Sequence, residues 1–254
     1  MLRGSLFARP FAGVARSVWP SATPPQRWAR EADPISFSMR FILFFFLFNS
    51  GLLYAQEFKQ EQGVLSELLL RYDHNKQWRT SFKLEHFAQF PPLAHSSFNA
   101  QYFLDYKTHR GFKLAWGYRL AQDAGQAFSH RFIQQLSWGQ KLSIGQLGHR
   151  FRLEGNWGTQ RRPEYRLRYR LALERPLMGQ KINAKELYWQ ASEELLPGWR
   201  PQGWQYENRL AFSLGYQSAG AWRLLLGIEQ RLRFRSRALR QQIWGKIYYI
   251  YAIN

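Results

Sequence analysis

From about Val64 onward the chain is written in segments of roughly ten residues that alternate apolar with polar, charged or small side chains. Short breaks holding Gly, Asp, Asn or Pro separate them. In RLRYRLALE (166–174), with the preceding Tyr165, one face carries Tyr165, Leu167, Tyr169, Leu171 and Leu173, and the other Arg166, Arg168 and Arg170. A period of two means a strand, because successive side chains leave a pleated backbone on opposite sides. The apolar face is long, aromatic and present on nearly every segment, whereas the other is heavily charged. Hydrocarbon outside and an ionic interior satisfy both faces together. The pattern therefore predicts an all-β fold, an antiparallel up-and-down transmembrane β-barrel of about 10–12 strands.

Strands are expected near 64–72, 77–88, 97–107, 111–120, 128–139, 146–157, 164–174, 183–192, 204–215, 220–230 and 240–252. Tight turns suit Asp73-His74-Asn75, Thr108–Gly111 and Gln217–Gly220, and longer connections suit Phe90–His95, Gly158–Pro163, Pro176–Asn183 and Leu196–Gly203. Bacterial barrels of this type have even strand numbers, so ten or twelve strands are expected, with 57–63 as the place for a twelfth. Aromatics gather at strand ends (Trp157, Tyr165, Trp204, Tyr206, Tyr216 and Trp222), as interfacial girdles require.

Residues 39–55, MRFILFFFLFNSGLLYA, place Arg40 before an apolar run and small Ala55 before Gln56. This reads as a secretory signal peptide cleaved near Ala55, since the run is too short to span comfortably and has no stop-transfer flank. Residues 1–38 are Arg-rich and acid-poor and read as an N-terminal extension from an early start, with Met39 as the first residue of the precursor. Residues 56–254 then form a single β-barrel domain. The formal charge of +19 falls to +15 without residues 1–55. The arginines are dispersed at strand spacing instead of clustered, and no nucleic-acid motif accompanies them, so nucleic acid is not the expected partner. The expected surroundings are outer-membrane lipid, in a Gram-negative bacterium. The expected solutes are small and anionic. The absence of cysteine excludes disulfides and thiol chemistry.

With the apolar faces outward, the lumen receives Arg150, Arg152, Glu154, Arg166, Arg168, Arg170, Glu174, Glu186, Glu194, Glu207, Arg209, Glu229 and Arg231. Lys83, Glu85, Lys113 and Arg119 share that parity. Charges enclosed in a narrow barrel must pair, and Arg suits bidentate contact with Glu. Such an interior is either a salt-bridged filling or a lining that selects for anions.

No catalytic, cofactor or metal residue is expected. The six histidines (His74, His86, His95, His109, His130 and His149) lack metal-ligand spacing, and there is no P-loop or GxGxxG. Ser129 and His130 are adjacent, but neighbours on a strand point oppositely. The alternatives are an outer-membrane enzyme acting on lipid or surface polysaccharide, a scaffold for another envelope protein, and a soluble secreted barrel or sandwich that binds a small ligand. An enzyme would need a nucleophile beside a base on loop 90–96, 158–163 or 196–203.

The segments FRLEGNW (151–157), YRLRYRLALERPL (165–177), ASEELL (191–196) and ENRLAFSLGY (207–216) resemble, in order and spacing, domain-of-unknown-function family 2490. The resemblance is strongest over 151–216 and extends over 57–254. It implies an outer-membrane β-barrel and carries no activity, substrate or catalytic residue with it.

Overall fold

The computed structural model describes residues 57–90, 94–158, 161–179, 181–200, 203–235 and 238–253. The expected signal peptide, its cleavage point and the 1–38 extension lie outside them. Eleven strands follow one another: β1 (Glu57–Asp73), β2 (Trp78–Phe90), β3 (Ala94–Lys107), β4 (Lys113–Asp123), β5 (Ser129–Leu142), β6 (Gly145–Gly158), β7 (Arg161–Pro176), β8 (Glu186–Arg200), β9 (Gly203–Gln217), β10 (Trp222–Arg235) and β11 (Ala238–Ile253). Each pairs antiparallel with the next, and β1 pairs with β11 to close the barrel.

The expected even count is corrected here. β1 and β11 run parallel over sixteen residue pairs, from Glu57↔Ala238 to Tyr72↔Ile253. Residues 57–63 are no separate strand. They extend β1 and pair with 238–244, so the first and last strands share a direction and the number is odd. The other departures are at strand ends. Three of the four expected long connections shrink, because β7 runs through Pro163 and β8 through Pro197 and Gly198. Proline costs a strand one ladder donor without ending it. The remaining long connection, 177–185, is real.

Local chemistry makes the turns. After β1, Asn75 Oδ1 accepts from the backbone N–H groups of Gln77 and Trp78 (2.8 and 2.9 Å), an Asx turn that starts β2. Before β4, Gly111 takes a φ of +83°, which a side chain would resist.

Alternation then sorts the side chains. Outward, the barrel presents large apolar residues such as Phe132, Leu153, Leu226 and Ile228, the last 63% exposed. Aromatics cluster near the rims: Trp78 against Tyr106, Phe112 against Trp138, and Tyr216 and Tyr249 on either side of Trp222. The inside is not uniformly ionic. Phe103, Ala115 and Ile133 form one buried inward cluster, and Leu69, Tyr188, Leu225 and Ile250 form another. Gly117 makes room for the first and Gly215 for the second, since a Cβ there would meet the rings of Phe103 and Tyr188.

Candidate functional site

Next to these apolar clusters, which lie on the side of the 74–77 and 218–221 connections, the inward polar positions form an ionic belt. Its members are drawn from β1 to β11 and most stand near the middle of their strands, with Arg131 two residues from the start of β5.

On β1 and β2, Glu67 pairs with Lys83 (3.0 Å), which also reaches Glu85 (2.6 Å). Asn99 on β3 donates to Glu85 (3.1 Å) and accepts from Arg119 on β4 (2.6 Å). From β5 to β9 a second run begins at Glu154, only 1% exposed. It receives Arg131 Nη1 (3.0 Å), Arg166 Nη2 (2.6 Å) and Arg168 Nη1 (2.9 Å), with Arg152 at 3.7 Å. The other terminal nitrogen of Arg168 binds Glu194 (2.5 Å), which also takes Arg150 (2.8 Å) and lies 3.9 Å from Arg209. Arg209 donates to Glu207 (2.6 Å), as does Arg233 (2.9 Å). On β10, Arg231 pairs with Glu229 (2.6 Å). Lys246 on β11 bridges Glu229 and Glu67, 3.4 Å from each, and so returns the belt to β1.

Among the described residues no ion pair crosses from β4 to β5, where Arg119 stands directly opposite Arg131 and like charges repel. Arg209 stands opposite Arg231 between β9 and β10 in the same way, but there Arg233 on β10 reaches Glu207 on β9 and bridges the junction.

Of the thirteen residues singled out from sequence, Arg150, Arg152, Glu154, Arg166, Arg168, Glu194, Glu207 and Arg209 share the β5–β9 run. Glu229 and Arg231 form their own pair. Among the described residues Arg170 bonds Ser192 Oγ (3.2 Å). Glu174 accepts from Gln190 (2.9 Å) near the end of β7. Glu186 accepts from the backbone N–H of Asn183 (2.6 Å) and so pins the 177–185 connection at the rim. Sequence reasoning missed Glu67, Arg131, Lys246 and the Arg240–Glu61 pair with its neighbour Gln242. Parity was the available signal. Apolar neighbours of the same parity, Leu65 and Leu69 beside Glu67 and Ile133 beside Arg131, concealed it.

The belt surrounds a cavity of about 1700 Å³. It is bounded by Asp73, Lys76 and Glu174 near one rim and by Gln89, Asp123 and Gln205 near the other. Its described lining holds nineteen Lys and Arg against eleven Asp and Glu, so cations dominate the enclosed space.

Ser129 turns inward and donates to the Ala121 carbonyl (3.5 Å), whereas His130 turns outward to the Tyr118 hydroxyl (2.5 Å). They lie on opposite faces and form no nucleophile–base pair. Among the described residues no group of three or more His, Cys, Asp or Glu is placed to hold a metal ion.

A closed barrel with an ionic, cavity-bearing interior and a large apolar exterior is the class of protein that these features define. The chain belongs to the family described as "Protein of unknown function (DUF2490)", whose model matches residues 62–242. No curated protein and no solved structure matches the chain.

Proposed function

We propose that this protein is an outer-membrane β-barrel of a Gram-negative bacterium that admits small anionic solutes through its lumen. The observation that carries the reading is the cavity that extends toward both rims with nineteen cationic against eleven anionic side chains in its described lining. Rings of charged side chains select permeant ions by sign, and an excess of Arg and Lys favours anions. The exterior supports placement in a membrane. Phe132, Leu153, Leu226 and Ile228 would leave an extensive apolar surface in water, and strands of eleven to seventeen residues meet or exceed the nine to eleven or so that a tilted crossing needs. Residues 39–55 supply the export signal on this reading. The rim with the shorter connections, at 91–93, 124–128, 159–160, 201–202 and 236–237, faces the periplasm.

Refolded protein in a planar lipid bilayer under a potassium chloride gradient tests this reading. Discrete conductance steps with a reversal potential of the sign set by chloride are the expected result. A cation-selective reversal, or a correctly folded barrel that inserts and never conducts, overturns it.

A further inference from the structure

The β4–β7 sector of the belt carries more guanidinium groups than its own carboxylates can serve. Five arginines, Arg119, Arg131, Arg152, Arg166 and Arg168, line one stretch of the cavity, where Glu154 holds three of them within 3.0 Å and Asp123 and Glu164 are the other carboxylates of that stretch. The register places Arg119 directly against Arg131, and Arg152 directly against Arg168. Arg119 has no carboxylate within 4.0 Å among the described residues, and its recorded acceptor is the Asn99 amide oxygen. Arg152 spends two nitrogens on the neutral Gln135 Oε1 (2.7 and 3.1 Å) and rests over the Phe103 ring (5.3 Å). The Nε atoms of Arg119, Arg131 and Arg168 are buried and lack a hydrogen-bond partner. Enclosed donors without acceptors and opposed like charges are both costly. An added anion with several acceptor oxygens would relieve both.

From this geometry we infer that the β4–β7 sector is a binding site for a dianionic oxyanion, a phosphoryl or sulfate group, seated between Arg119 and Arg131 beside Glu154. The planar guanidinium fork matches two oxygens of such a group, and the charge carried by a dianion suits a sector with a surplus of several positive charges. A monocarboxylate such as acetate brings half the charge. The site lies on the inward faces of the strands, within the lumen, so the group arrives as a free anion or as part of a small ester, not as the headgroup of a lipid still in its leaflet. This inference rests on the anion-admitting reading above and gives it a resident site.

Binding is measurable without any conductance. The test is calorimetric titration of the detergent-refolded barrel with inorganic phosphate at fixed ionic strength, with sulfate, glycerol phosphate, acetate and chloride as parallel arms. Saturable binding of phosphate and sulfate, with acetate and chloride at least ten-fold weaker, is expected. Glycerol phosphate binding alongside them identifies small esters as ligands, and its failure restricts the site to free anions. Arg119→Gln removes no ion pair, so the barrel should fold, and it should weaken phosphate at least ten-fold, the scale of one charge-assisted hydrogen bond. Arg233→Gln, outside the sector, should leave the affinity unchanged. Phosphate heats no different from chloride, or equal loss in both variants, overturn the site. If phosphate binds and no current flows, the conduction reading falls and the site stands. If anion-selective current flows without saturable binding, the reverse holds.

Discussion

The ionic belt has two unlike halves. Across β10, β11, β1 and β2 the charges alternate, with Glu229, Lys246, Glu67, Lys83 and Glu85 in succession and each lysine between two carboxylates. Across β5 to β7 four arginines converge on Glu154, and of these Arg168 also reaches Glu194. In the first half Lys83, Lys246 and Glu67 each have two ion partners, so losing one of them leaves its neighbours served. In the second half one carboxylate holds a cluster of mutually repelling cations. The number of ion pairs is similar, but the dependence on any single residue is not. Pairing sets stability less than does what remains unpaired when one partner is removed.

Substitutions ranked by expected effect can break that contrast. Glu154→Gln should have the largest effect, about 3–5 kcal/mol of unfolding free energy, because it strands several buried guanidinium groups at once. Urea unfolding of the refolded barrel in detergent measures it. Arg168→Ala should follow at about 3 kcal/mol by the same measurement, since it unpairs Glu154 and Glu194 together but leaves each with another arginine. Glu67→Gln, in the alternating half, should cost only about 1–2 kcal/mol, because Lys83 keeps Glu85 and Lys246 keeps Glu229. If Glu67→Gln proved as damaging as Glu154→Gln, the two halves would be equivalent and the contrast would fail. Arg170→Gln should lie below about 1 kcal/mol, because its recorded hydrogen bond is to a serine hydroxyl. Its reversal potential in the bilayer should move slightly toward the cation side, which separates charge in the lumen from charge that supports the fold.

Much of this architecture could be read from the chain. The alternation in 165–174 placed Arg166, Arg168 and Arg170 on one face, and the same rule sorted β6 and β9 correctly. Closure could not be read. Whether 57–63 folds as its own strand or lengthens β1 depends on a partner at 238–244, and local pattern carries no information about a ladder so distant in sequence. Proline misled at 163 and 197, because a strand can tolerate one missing donor when the ladder on either side holds. Within the site, parity located Glu154 and Glu194 but could not say that four arginines share the first. It also missed Glu67 and Arg131, whose strands mix apolar with ionic residues on the inward face. That mixture has a steric origin: Phe103 and Tyr188 fold into the lumen over Gly117 and Gly215. A rule based on polarity alone does not anticipate large rings pointing inward.

The parallel ladder between β1 and β11 has a kinetic consequence. Its partners are 181 positions apart, whereas every other ladder joins strands linked by two to nine residues. Hairpins can therefore zip in succession while the sheet stays an open ribbon with two bare edges, and the distant pair must search longest for each other. Until they meet, both edges are templates for pairing with a foreign strand. Parallel pairing is slightly weaker per residue than antiparallel, and sixteen pairs in register make up for that by length. Sealing of the cylinder should thus be the late, rate-setting event of assembly, and β1 and β11 the strands through which misassembly begins.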